Sequence, residues 1–291
     1  MSDKPKYNKI ASYSQFASFH SCGHKYKLDY VDKINPYQSN IHAVFGTAMH
    51  ETIQNFLEIY YGETKKLAMT IDLEEQLLLN LKEVFKKESE KSPKPPCTKE
   101  ELSEFYTQGT EILHYFKSKI NKFYPKSGYE LIGIEIELRE EVKDGVDFLG
   151  FIDVALKDKV SGKHILIDLK TATKGWSKYQ KSDKVKTAQL MLYKKLYSEK
   201  FDVPESMISV EYHIMKRTLP PSEYPVPRIT KFVPANGKVS VNRAWKMYMD
   251  FVEDVFSGPN GERKKEGYQP HPSPLCNWCD YKLTEHCKHW I

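Results

Sequence analysis

An aspartate and a lysine two residues apart, Asp168 and Lys170, follow the apolar run Ile165 to Ile167 in the segment ILIDLKT. Side chains alternate along a strand, so the carboxylate and the ammonium share one face and Leu169 takes the other. That pairing suits metal ligation beside a cation that stabilises charge in a transition state. A second carboxylate, Asp153, lies in GFIDVAL, where Phe151, Asp153 and Ala155 alternate with Ile152, Val154 and Leu156. Burying a lone carboxylate is expensive unless it is paired or holds a cation, so a partner is expected. In isolation, the two segments favour a structural ion pair between Asp153 and Lys170 across neighbouring strands.

Three more residues carry chemistry at helical spacing. His50 in GTAMHETIQ stands beside an apolar stripe, four residues after Gly46. A lone helix histidine is ordinarily a surface or core residue without a ligand. Gln189 and Tyr193 are spaced i, i+4 and share a helix face. Five cysteines, at 22, 97, 276, 279 and 287, are an odd number in a chain whose first residues lack a secretory h-region, so disulfides are not expected and a reducing cytoplasm is. Cys276, Cys279 and Cys287 read C-x2-C-x7-C, a spacing that suits a metal or a cluster. By spacing alone zinc is the default, and a fourth ligand must come from elsewhere. Cys97 is read as a bystander.

The elements that must position these residues change period along the chain. From Ala43 to Tyr60 apolar residues recur at three- and four-residue steps, giving an amphipathic helix that carries His50. Ile71 to Lys87 is helical. After the break SPKPPC, Thr98 and Glu101 read as a capping box for a helical face that runs to Phe123. From Tyr129 to Ile167 the period becomes two, with the turns KDGVD and KDKVSGK, which predicts a three-stranded antiparallel meander. A helix from about Lys186 to Glu199, a strand SMISVEYHIMK, a short strand RITKFV and a helix from about Val239 to Phe256 complete the core. The expected organisation is an N-terminal segment and helical lobe over 1–128, a core over 129–257 and a cysteine-rich tail over 258–291.

With 291 residues and 40% hydrophobic content the chain can bury a sizeable core, which argues against disorder. No run approaches the roughly 18 apolar residues of a membrane span. The net charge of +5 is localised: Lys170 to Lys186 holds six Lys and one Asp, and the remainder is neutral. This patch, KTATKGWSKYQKSDKVK, interleaves Trp176 and Tyr179 with Lys174, Lys178 and Lys181, a mix suited to a polyanion with stackable bases. On charge alone it reads as a solvated loop.

The ordered set Gly46 to His50, Gly150 to Asp153, Asp168 to Lys170 and Gln189 to Tyr193 resembles the RecB-like branch of the PD-(D/E)XK nucleases, from Ser14 to the C-terminal cysteines. Asp168 stands where the superfamily often has Glu, and Leu169 replaces the aromatic residue common in this branch. The resemblance implies an α/β, restriction-endonuclease-like fold with a mixed sheet. It also implies a Mg²⁺ or Mn²⁺ site from His50, Asp153, Asp168 and the Leu169 carbonyl, with Lys170 stabilising the transition state and Gln189 and Tyr193 positioning phosphate or water. Glu135 and Glu137 are read as solvated strand positions, with a supporting role at the metal as the alternative.

The segment SYSQFASFHSCGHKYKLDY resembles the N-terminal cysteine motif of AddB-type and CRISPR-associated RecB-like nucleases, with Gly23 where proline is usual. In those relatives one N-terminal and three C-terminal cysteines hold a 4Fe-4S cluster, which implies Cys22, Cys276, Cys279 and Cys287 here, with zinc as the rival. The resulting expectation is a metal-dependent DNA exonuclease acting on single strands or free ends in repair, recombination or replication, with a helicase or recombination protein as a possible partner. A non-catalytic, zinc-stapled DNA-binding module and an RNA nuclease are the alternatives. Only five arginines stand among the 44 basic residues, which favours backbone contact over base reading.

Overall fold

The computed structural model describes residues 8–34, 38–91 and 94–289. The first seven residues, part of the N-terminal stretch read above, and Ser92 and Pro93 of the Pro-rich break lie outside the described residues. In chain order the elements are β1 (Lys9–Ile10), α1 (Tyr13–Ser21), α2 (Gly23–Tyr26), α3 (Ile41–Gly62), α4 (Lys65–Ala68), α5 (Leu73–Lys91), α6 (Lys99–Ser118) and α7 (Ile120–Phe123). Then come β2 (Tyr129–Lys143), β3 (Val146–Asp158), β4 (His164–Ala172), α8 (Lys178–Ser182), α9 (Lys184–Phe201), β5 (Ile208–Lys216), β6 (Ile229–Phe232) and α10 (Lys238–Val255).

Local chemistry sets the boundaries. Asn40 caps α3 by accepting from the backbone N–H groups of His42 and Ala43 at 3.0 and 3.1 Å. The Thr98–Glu101 box closes in both directions at the start of α6. At the β2–β3 turn Gly145 has φ of 73°, and a Cβ there would meet the Asn260 carbonyl oxygen at 2.7 Å, so only glycine fits.

The antiparallel meander forms as expected from β2, β3 and β4. Beyond it the sheet is mixed: β4 runs parallel to β5, β5 is antiparallel to β6, and β1 adds a short parallel contact beside the start of β3. The sheet separates two cores. Phe148, Val210, Ile214, Tyr248 and Phe251 fill the face covered by α1, α9 and α10. Met49, Ile53, Phe56, Leu113 and Phe116 pack against Val154, Leu156, Ile167 and Leu169 on the other. Burying each such large side chain contributes about 1.5–3 kcal/mol. In α9 every residue from Ala188 to Lys194 is buried, so Gln189 and Tyr193 are polar groups held inside the protein. Among the described residues no helix is long and apolar enough to cross a membrane.

Candidate active site

The β3–β4 ladder runs from Lys157 opposite His164 to Val154 opposite Ile167 and stops there. The next opposing residues are Asp153 and Asp168. Two carboxylates facing one another cannot pack as an ordinary cross-strand pair. Asp153 instead accepts the Leu169 backbone N–H through Oδ2 at 2.6 Å. Lys170 turns to its neighbour on the same face, donating to Asp168 Oδ1 at 3.0 Å with Nζ 2.8 Å from Oδ2. The cation pair is therefore Lys170–Asp168 within β4, where the sequence suggested Lys170–Asp153 across strands. Asp168 is 2% exposed, and its Oδ2 is buried without a hydrogen bond among the described residues.

His50 reaches the strands from α3, with Nδ1 3.7 Å from Asp153 Oδ1. Side chains from one helix and two strands, together with the Leu169 backbone, thus converge. Burial raises the Asp153 carboxyl to about 7 and the Asp168 carboxyl to about 6, with Lys170 working against both shifts. Burial lowers the His50 imidazole. It also opposes the Lys170 ammonium, but Asp168 and Asp153 outweigh it and hold the lysine above its usual range. Near neutral pH the lysine is charged, the histidine is neutral, and the carboxyls titrate where a cation could displace their protons.

Gln189 Nε2 donates to Tyr193 OH at 3.2 Å. Gly150 explains the glycine of its motif: a Cβ there would meet the Tyr193 ring at 2.7 Å. The missing side chain lets a phenol from α9 lie on β3, three residues along the strand from Asp153. Burial keeps that phenol protonated, so it serves as a neutral donor.

Two residues were undervalued by sequence. Glu135 is exposed, yet its carboxylate joins His50 and Asp153 with ligand atoms all within 4.8 Å of one another. Gln54 was not singled out, although it stands at i+4 from His50 and so shares its helix face. Its Nε2 donates to Glu135 Oε1 at 2.5 Å and to the Asp153 carbonyl at 3.2 Å. Glu137, one pleat along, is exposed and belongs to no such group among the described residues.

The basic patch is partly ordered. Lys174, Lys178 and Tyr179 are exposed, and α8 begins on a capping box from Ser177 to Gln180. Trp176 is half-buried: its ring lies 4.8 Å from that of Tyr212, with Lys186 Nζ 4.4 Å from its centroid. Lys181 Nζ lies over Phe232. Trp176 therefore packs the patch onto the sheet, and Tyr179, 88% exposed, is the ring free to stack.

The four cysteines of the expected set converge from opposite ends of the chain. Cys22, Cys276, Cys279 and Cys287 line one cavity. Cys97 instead lies against the helical core. The N–H of His271 points at Cys22 Sγ (3.4 Å) and that of Ser273 at Cys276 Sγ (3.5 Å). Around them His24 N–H donates to the Gln269 carbonyl at 3.1 Å, and Arg263 holds Gln15 Oε1 at 2.8 Å. A Cβ on Gly23 would meet that Gln269 carbonyl at 2.8 Å, which accounts for glycine at this position.

The sequence profile of the PD-(D/E)XK nuclease superfamily matches residues 10–284, and the chain belongs to that superfamily. Its members hydrolyse phosphodiester bonds with the help of divalent metals. Among solved structures, a protein from Eubacterium rectale assigned by inference as an exonuclease shares the fold. The TM-score is 0.51 at 14% identity, over 95% of this chain and 87% of that one. No curated protein matches.

Proposed function

We propose that the protein is a Mg²⁺- or Mn²⁺-dependent deoxyribonuclease of the RecB-like branch, acting as an exonuclease on single strands or DNA ends. The observation that carries the reading is the break in the β3–β4 ladder. Two buried carboxylates oppose one another there, and a charged lysine stands alongside, its Nζ 2.8 Å from the buried Oδ2 of Asp168. Hard oxygen donors and one imidazole fit a divalent ion that tolerates manganese.

The ion would be held by His50, Asp153, Asp168 and the Leu169 carbonyl, and when bound it supplies charge neutralisation at phosphorus and a more acidic water. Lys170 donates toward the attacking water or a phosphate oxygen as negative charge builds. Gln189 and Tyr193 offer neutral donors that orient the phosphate. Lys174, Lys178, Lys181 and Tyr179 give the strand a sequence-independent path of point charges and one stacking surface.

We also read the four-cysteine cavity as the seat of an iron-sulfur cluster that ties the chain's ends together. The two backbone N–H groups directed at Cys22 and Cys276 sulfur are the kind of contact that tunes a cluster. The nuclease reading is tested on DNA labelled separately at its 5′ and 3′ ends, single- and double-stranded, with Mg²⁺, Mn²⁺ or EDTA. It expects a metal-dependent ladder from one end of the single strand; no cleavage of any DNA with either metal would overturn it.

A further inference from the structure

We infer that Glu135, aimed by Gln54, is an additional ligand of the divalent-cation site, and that β2 is held out of ordinary strand geometry to deliver it. The inference rests on the metal-dependent reading above and adds to it a residue that lies outside every motif in the sequence.

Register places Glu135 opposite Asp153, because Ile134 pairs with Val154 and Ile136 with Ile152 on either side. At that point the backbone turns left-handed, with φ of 48°. Among the described residues it is the only position inside a strand with positive φ. A glutamate gains nothing from this conformation, which the Cβ disfavours. The ladder pairs on either side at Ile134 and Ile136, with a register shift between Leu131 and Gly133 just before it. What holds the left-handed turn is the Gln54 amide, bonded at once to the Glu135 carboxylate and to the Asp153 carbonyl. Strain maintained by a dedicated contact beside a cluster of ligands is the pattern of a functional site.

The pairing of charges points the same way. Among the described residues neither lysine nor arginine forms an ion pair with Glu135. Glu135 and Asp153 bring two carboxylates beside the His50 imidazole, while Lys170 is engaged by Asp168. Asp168 stands opposite Asp153 where the β3–β4 ladder stops, and its Oδ2 lies 2.8 Å from Lys170 Nζ. A divalent cation seated there would meet the His50 imidazole and the carboxylates of Glu135 and Asp153 together.

The test measures Mn²⁺ binding by calorimetry and by loss of the free-ion paramagnetic signal, on the full chain without DNA. Glu135→Gln keeps the shape and the Gln54 contact while removing the charge, and should weaken Mn²⁺ binding by about 10–100-fold. Glu135→Gly should lose affinity similarly, yet raise the melting temperature in EDTA by about 2–4 °C because glycine accepts the left-handed turn. Gln54→Ala should weaken binding less than Glu135→Gln, and Glu137→Gln should leave it unchanged. Wild-type affinity within about threefold in the Glu135→Gln protein would overturn the ligand assignment, and earlier melting of the Glu135→Gly protein would overturn the strained delivery. If the wild type takes up no Mn²⁺, or Asp168→Asn binds it as tightly, the metal-dependent reading itself fails and this inference with it.

Discussion

Adjacent strands of the sheet bury charge in two different ways. On β5, Glu211 and His213 are 3% and 1% exposed, and both are fully engaged. His213 Nε2 meets Glu211 Oε1 at 2.8 Å, His213 Nδ1 meets Tyr124 OH at 2.7 Å, and Lys231 pairs with the other Glu211 oxygen. Burial works against the Glu211 carboxylate, but His213 and Lys231 outweigh it and hold its pKa below the usual range. On β4 and β3, Asp168 and Asp153 are as deeply placed, share one lysine and are pushed upward. A buried charge with its partners in place is architecture; one without them is a site that stores free energy for a ligand.

The comparison breaks most sharply on activity. Lys170→Ala should lower cleavage by at least about 10²–10³-fold while DNA affinity stays within about threefold, since one ammonium adds little binding but acts on the transition state. His213→Ala should leave Mn²⁺ binding intact. Cleavage by Lys170→Ala at near the wild-type rate would remove the lysine from the chemistry.

Stability separates the clusters next. His213→Ala takes one of the two partners of buried Glu211, leaving Lys231, and should cost about 1–3 kcal/mol in urea unfolding. Asp153→Asn should instead stabilise the metal-free protein, more at pH 8 than at pH 5. The signs follow from linkage. The Asp153 carboxyl, raised to about 7 in the fold, favours folding below its unfolded value, and that contribution is lost as pH rises toward 7. Glu211, lowered in the fold, contributes above the ordinary glutamate range and loses its contribution as pH falls. By the same protons, Mn²⁺ should raise the melting temperature more at pH 8 than at pH 5. Equal shifts at both pH values would show that the ion does not displace these protons.

On the cluster reading, protein purified without oxygen should be brown, and Cys22→Ser should bleach it as Cys279→Ser should, while Cys97→Ser keeps the colour. A colourless wild type carrying one zinc would return the staple to zinc and leave the nuclease reading untouched. The smallest effect belongs to the patch. Replacing Lys174, Lys178 and Lys181 by Ala should flatten the salt dependence of single-strand binding by roughly 0.7 per lost contact, read from log K against log salt. An unchanged slope would leave the patch a solvated surface.

The sequence carried the meander, the long helices and the Thr98 cap, because each rests on periodicity or on groups a few residues apart. It also marked His50, Asp153, Asp168, Lys170, Gln189 and Tyr193, whose order along the chain resembles the RecB-like pattern. It undervalued Glu135, whose neighbours in EIEL make it look like one more solvated pleat, and it missed Gln54, for which only the i+4 step from His50 gave a signal. It also left Trp176 free to stack, whereas the ring is covered by Tyr212 and Lys186.

What the sequence determined by itself was the chemistry available: which acids, which lysine, which thiols, and the strands and helices they ride on. Tertiary structure decided how those groups meet. Only the end of the β3–β4 ladder brings Asp153 opposite Asp168 and turns Lys170 to its own strand. Only the left-handed residue in β2 brings a third carboxylate to α3, and only the closing of the chain's ends brings Cys22 to cysteines more than 250 residues away. Periodicity is a local property that adjacent residues can encode. Register, strand splay and the meeting of distant segments depend on packing across the whole sheet, and no local pattern records them.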